Sequence, residues 1–261
     1  MRSVINRKTL ALPYVIFMIL FVIFPLIVIL YYGFTNGSGH LSFANFAAFF
    51  GSRRTVGTLL YSVVIAVITT LVCLLIAYPT AYILAKGAFC RRHGFLMVFV
   101  MPMWINFTLR ITALKEILSL VEGNLAMHPF FNTIFCMVYD FLPFMIMPLY
   151  NSLTKLDKSY IEASADLGAT FTQTLRKVIL PLSVPGIVSG VTMVFLPAMT
   201  NYVVLDMVYN STYIMGSLIG SYFSSYDWNN GAVISAILLM LIGLFTLMTG
   251  RLAVEKGGGR R

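Results

Sequence analysis

Six predominantly apolar runs, at residues 10–32, 57–84, 94–112, 130–149, 185–205 and 231–250, dictate what this chain can become. A hydrocarbon core ~30 Å thick is crossed by roughly 20 residues of helix, and each run reaches or approaches that length. Inside lipid every backbone N–H and C=O must be satisfied without water, so isolated runs of this kind become helices. The last contains AVISAILLMLIGLFTLMTG, which carries no charge. With 59% hydrophobic and 10% charged residues and a mean hydropathy of +0.88, the chain lies outside the range of soluble domains. The expected fold is an all-α integral membrane protein of six transmembrane helices, one domain over 1–261 with its core at 57–250. Every span but the last has proline in it or at its head (Pro13, Pro25, Pro79, Pro102, Pro143, Pro148, Pro185, Pro197). Membrane helices tolerate this because neighbouring groups re-satisfy the freed carbonyls.

The net charge of +9 suggests a nucleic-acid partner only until its distribution is considered. With both termini in the cytoplasm, Arg2, Arg7, Lys8, Lys86, Arg91, Arg92, Lys155, Lys158, Arg176, Lys177, Arg251, Lys256, Arg260 and Arg261 lie inside. Only Arg53, Arg54, Arg110 and Lys115 fall outside. Positive residues concentrate on the cytoplasmic side of membrane proteins, so the basic character reads as an N-in/C-in topology and membrane lipid as the partner. The leader MRSVINRK resembles a signal peptide, but the apolar run behind it is too long and lacks a small-x-small cleavage site, so it reads as a retained span.

Catalytic chemistry is missing from the sequence. Cys73, Cys90 and Cys136 have neither disulfide nor metal-ligand spacing, and His40, His93 and His128 are scattered. No Gly-Lys dipeptide occurs, so the chain has no phosphate-cradling loop, and no G-x-S-x-G elbow is present. The expectation is a protein that is not an enzyme, with no catalytic residues, no metal and no cofactor of its own. Work done by such a chain draws on an ion gradient or on a partner.

One polar stretch interrupts this pattern. Residues 151–181 contain YIEASADLGATFTQTLRKVILPL, where acids, bases and small residues gather between two apolar blocks. Ser159 followed by Glu162 reads as a capping box, with Gly168 closing the first helix. Thr170 followed by Gln173 reads as a second, opening a helix that stops at Pro181. Two capped helices joined at a glycine make a rigid corner, either a plain connector or a docking surface.

The residues favour the second reading. Glu162-Ala163-Ser164, three residues, Gly168, nine residues and Val178-Ile179-Leu180-Pro181 resemble the EAA motif, E-A-A-x3-G-x9-I-x-L-P, of bacterial ABC importer permeases. Ser164 stands for the second alanine and Val178 for the isoleucine. The resemblance implies a type I ABC importer permease fold, with 151–181 as the cytoplasmic segment that docks on an ATP-hydrolysing subunit. Glu162, Ala163, Ser164, Asp166, Gly168, Leu180 and Pro181 would be its coupling residues. Further stretches, including MPMWINFTLR, YDFLPFMIMPLYNSLTKLDKSYIEASADLGA, LPLSVPGIVSGVTMVFLPAMTNYVVLDM and YDWNNGA, are similar to spermidine/putrescine importer permeases of the PotB type. In YDWNNGA, Asn229-Asn230 replace the Pro-Phe of such permeases. The resemblance implies two copies of an ABC ATPase that binds the ATP, a second, PotC-like permease and an external polyamine-binding protein as partners.

A polyamine pathway needs carboxylates for ammonium groups and aromatic faces for cation–π contact. Asp140, near the middle of the fourth span beside Tyr139, is the leading candidate, because an acid at membrane depth is costly and marks function by default. Its alternative role is as a structural partner for a hydroxyl or for Arg110. Asp206 and Asp227 read equally as pathway residues, solvated loop acids or binding-protein contacts; Trp104, Tyr202 and Tyr209 read as pathway, interface or packing residues. Gly186-x-x-x-Gly190 would allow close helix packing, and Pro197 would break the fifth span at mid-depth or merely kink it. An importer of another small solute, or a gradient-driven transporter using Asp140 as its ion relay, remains the alternative.

Overall fold

The computed structural model describes residues 7–36, 39–87, 92–208 and 214–257. Cys90, Tyr209, Arg2, Arg91, Arg260 and Arg261 lie outside them. In chain order the helices are α1 (Ala11–Phe34), α2 (Ala44–Gly51), α3 (Arg53–Lys86), α4 (Arg92–Val100), α5 (Phe107–Glu122), α6 (Pro129–Thr154), α7 (Lys158–Asp166), α8 (Phe171–Thr200), α9 (Tyr202–Val208), α10 (Met215–Ser224) and α11 (Trp228–Gly257). The described residues form no strand. Five helices (α1, α3, α6, α8 and α11) are long and apolar enough to cross a membrane, and a bent pair, Gly94–Trp104 with Phe107–Glu122, is a sixth if its two halves count as one span.

That pair corrects the third expected span. The two halves meet at 97°, the first ending in a 3₁₀ turn at Met101–Trp104. Asn106 then takes an extended conformation and its side chain accepts from the Thr108 N–H, capping a new helix. The second helix therefore runs on to Glu122, past the expected end at Thr112. Arg110, expected outside the membrane, lies buried against the middle of α6.

Prolines are absorbed in a recurrent way. A π turn at Ile19–Ile23 precedes Pro25, and another at Leu175–Ile179 precedes Pro181. Proline removes one i→i−4 bond and its ring crowds the preceding turn. Widening that turn lets the Phe24 N–H reach Ile19 O and the Leu180 N–H reach Leu175 O, so the helix continues. The expected stop at Pro181 does not occur, and the second helix of the polar segment runs on as the fifth span. Pro197 does not break this helix either. It ends at Thr200, with the Asn201 N–H donating to Pro197 O at 2.9 Å.

The chain divides into two compact units. In the first (Met1–Gly57 with Ser217–Leu241), Gly33 lies against the backbone of Ala232 and Val233. Asn229 Nδ2 donates to the carbonyls of Tyr32 and Thr35, and Asn45 Nδ2 donates to Thr35 O at 2.8 Å. The most apolar stretch of α1 is left unburied by the chain. In the second (Thr58–Gly216 with Ile242–Arg261), α6 is the hub, fully burying Met137, Met145, Ile146, Leu149 and Leu153.

Helix α8 packs closest to α6. A Cβ on Gly186 would collide with Ser152 Cβ and stand 2.9 Å from Ser152 Oγ, and one on Gly190 would stand 2.7 Å from Met145 Sδ. The G-x-x-x-G spacing thus does what membrane packing asks of it, letting two backbones approach where burying apolar surface gives no gain over lipid.

Candidate functional site

The polar segment is a rigid corner in the second unit. Helix α7 starts one residue before Ser159, and Asp157 is its cap, accepting from the Ser159 N–H at 3.1 Å. The cap thus falls on Asp157, ahead of the expected Ser159–Glu162 box, and aspartate is as favourable there as serine. At the other end Gly168 has φ +73°. Its N–H donates to Ala165 O at 2.8 Å and the Ala169 N–H to Ser164 O at 3.0 Å, a Schellman closure. The Thr170–Gln173 capping box forms as expected, with Thr170 N–H donating to Gln173 Oε1 at 2.9 Å.

The motif residues divide by direction. Glu162, Ala163, Asp166 and Gly168 are exposed. Ser164 is buried: its hydroxyl donates to Ile161 O at 2.8 Å and pairs with Thr174 Oγ1 at 2.9 Å. It therefore fastens α7 to α8 instead of offering a small surface outward. Leu180 and Pro181 stand exposed on α8, just past the π turn. Beside Gly168, Leu167 is 87% exposed. Sequence reasoning missed it, because one leucine in a chain this apolar carries no contrast.

Three contacts tie the corner to the end of α3. Lys86 Nζ donates to Leu156 O at 2.6 Å, the Tyr82 and Phe171 rings lie 6.0 Å apart, and Tyr78 Oη lies 3.1 Å from Ser183 Oγ. These were also invisible to sequence reasoning, since they join residues some 70 to 105 positions apart.

The candidate pathway residues do not form one cluster. Asp140 Oδ1 meets Arg110 Nη2 at 2.6 Å, with side chains 4% and 7% exposed, so Arg110, one of the partners weighed for it, is the group it meets. The contact is ionic and poorly aligned as a hydrogen bond, and Arg110 Nε and Nη1 have no hydrogen-bond partner. Tyr139, next in sequence, points the other way, exposed in an apolar groove with Val72, Ile76, Phe131 and Phe135. Trp104 stands 78% exposed at the break of the bent pair. Tyr202 and Asp206, four apart on α9, are both exposed, on a helix that packs against α5 and α6. In the first unit, Asp227 caps α11, accepting from the Asn230 N–H at 3.2 Å and from Asn230 Nδ2 at 2.7 Å.

An open cavity of about 550 Å³ runs along α6 and α8, lined by Phe144, Met147, Asn151, Lys155, Ser189 and Met193 among others. Among the described residues no group of His, Cys, Asp and Glu is arranged to hold a metal.

Residues 41–256 match the model of the binding-protein-dependent transport system inner membrane component family. The chain belongs to that family. This permease is a transport component of the inner membrane, crossing it several times, and not an enzyme. It is 38% identical over 210 residues to the spermidine/putrescine transport system permease protein PotB of Escherichia coli, covering 74% of this chain and 76% of that one. Against the PotB permease of Haemophilus influenzae the identity is 37% over 193 residues, covering 68% of each. Among solved structures, the permease fold matches a chain of a bacterial alginate ABC transporter in complex with its alginate-bound periplasmic protein. That match has a TM-score of 0.74, 14% identity and coverage of 94% of both chains. A chain of the MetNI methionine ABC transporter, in an inward-facing conformation, matches with a TM-score of 0.60, 18% identity and coverage of 77% of this chain and 95% of that one. The ABC importer permease architecture expected from the EAA resemblance is the one observed.

Proposed function

We propose that this chain is one permease subunit of an ATP-driven importer of polyamines, spermidine and putrescine. The observation that carries the reading is the corner at Asp157–Thr174, a rigid polar projection locked at both ends by caps and internally by the Ser164–Thr174 pair. Its exposed Glu162, Asp166 and Leu167 supply acids around an apolar knob, a surface suited to a cleft on a cytoplasmic ATPase with basic rims. Permeases named for spermidine and putrescine support the substrate class. The termini and the corner then lie in the cytoplasm.

The partners are two ATPase copies, which bind the ATP, a second permease of related fold and an external binding protein that delivers polyamine. The chain itself needs no cofactor. Closure of the ATPases pushes α7; the hydroxyl pair passes the push to α8, and the Lys86, Tyr82 and Tyr78 contacts pass it to α3. A two-state cavity biased by nucleotide on one side and loaded binding protein on the other gives alternating access. Tyr202 and Asp206 offer an aromatic face and a carboxylate to passing ammonium groups, with Trp104 and Asp140 as further contacts along the route.

Uptake of radiolabelled spermidine into proteoliposomes holding the four-component complex tests this. The expected result is uptake that requires ATP and binding protein and resists proton uncouplers. Uptake abolished by an uncoupler and indifferent to ATP would establish the gradient-driven alternative.

A further inference from the structure

Asp140 belongs to a row. Counting along α6, Phe144, Met147, Asn151 and Lys155 line the open cavity, and Asp140 precedes Phe144 by one helical turn on the same face. The cavity, at about 550 Å³, lies within the ~300–1,000 Å³ range of small-molecule sites, yet no acidic side chain lines it. Its other wall includes Met103, which sits just before the break of the bent pair, while Arg110 sits just after it on α5. The one buried carboxylate among the described residues is thus held shut one turn beyond the cavity by a guanidinium from a helix that starts at a break.

The quality of that contact is informative. Arginine–carboxylate pairs frequently engage through two parallel N–H bonds. Here a single Nη2 contact is made, and Nε and Nη1 are buried without partners. Leaving two donors unpaired makes the pair poor as a static device, and cheaper to open than a forked one.

We propose that Asp140 is the membrane-depth site for a substrate ammonium group, and that Arg110 is a resident cation which occupies this site when no substrate is present. A primary ammonium and a guanidinium place the same charge and N–H donors on a carboxylate. The exchange is concerted, because a bare carboxylate at this depth is too costly to persist. Arg110 leaves with α5 as the arriving ammonium takes its place, and Asp206, exposed on α9, a helix that packs against α5 and α6, is the acid assigned to receive it. An unloaded transporter therefore does not present a free anion to small cations at this depth. The inference rests on the polyamine reading above and adds Arg110 to it.

The test uses the assembled complex without its binding protein. Arg110→Met removes the resident cation, and the complex should bind radiolabelled spermidine at least tenfold more tightly than wild type. Adding Asp140→Leu should remove that gain, and this neutral double variant, reconstituted with binding protein, should lose at least nine-tenths of spermidine uptake. A buried ion pair that is only structural can be replaced by apolar residues with little loss. Wild-type uptake by the double variant would therefore overturn the proposal even if the single variant fails to assemble. It is equally overturned if Arg110→Met assembles and gains no binding, or if the gain survives loss of Asp140. A wild-type complex that transports neither spermidine nor putrescine would instead sink the polyamine reading itself.

Discussion

Single residues of the corner have separable roles. Gly168 sits at φ +73° with no atom within 4 Å of the position a Cβ would take, so Gly168→Ala meets backbone strain alone, about 1–2 kcal/mol. The variant should loosen the corner and lower uptake per ATP hydrolysed, and Gly168→Asn, which tolerates that conformation better, should fall between it and wild type. Leu167 makes its difference elsewhere. Leu167→Ser should leave the melting temperature of the isolated permease unchanged while weakening ATPase retention in co-purification. Gly168 and the two acids could be read from the sequence because glycine at a helix end and charge in an apolar chain are strong contrasts. Ser164 could not: smallness says that a residue fits closely, not whether it faces inward or outward. For Asp140 the residue type announced importance and Arg110 was among the partners weighed, but which partner it meets depended on where α5 starts.

At the scale of helices, packing is set by a few close approaches. Gly186→Ala forces a Cβ onto Ser152 and should cost ~1–3 kcal/mol through overpacking, read as a lowered melting temperature of the complex. Ser152→Gly in the same chain should recover part of it, with the Pro148 carbonyl, 3.0 Å from that Cβ, still in the way. Gly190→Ala meets the thioether of Met145, a side chain able to turn aside, and should be milder. Most spans could be placed from hydropathy because lipid leaves a helix no alternative. The bend of the third could not, since a hydropathy window sees length and not direction; the one signal was Asn106, a capping residue inside an apolar run. Continuation of α8 through Pro181 was likewise hidden, because a π turn upstream carries no sequence signature.

Over the whole molecule, the corner, α8 and the end of α3 form a chain of contacts from a projecting knob to the membrane. Lys86→Met removes the 2.6 Å bond to the Leu156 carbonyl and should lower uptake per ATP hydrolysed in a complex that still assembles. The family and architecture were already contained in the spacing of Glu162, Gly168 and Pro181, which resembles the EAA motif. The bend that carries Arg110 onto Asp140 was not, because it depends on how helices distant in sequence meet. The most direct measurement is ATP hydrolysis by the purified complex, with and without binding protein loaded with spermidine or putrescine. The account predicts stimulation by the loaded binding protein, lost when Glu162 or Gly168 is replaced in a complex that still assembles. Failure of the permease to retain any ATPase, or stimulation indifferent to both replacements, would contradict it.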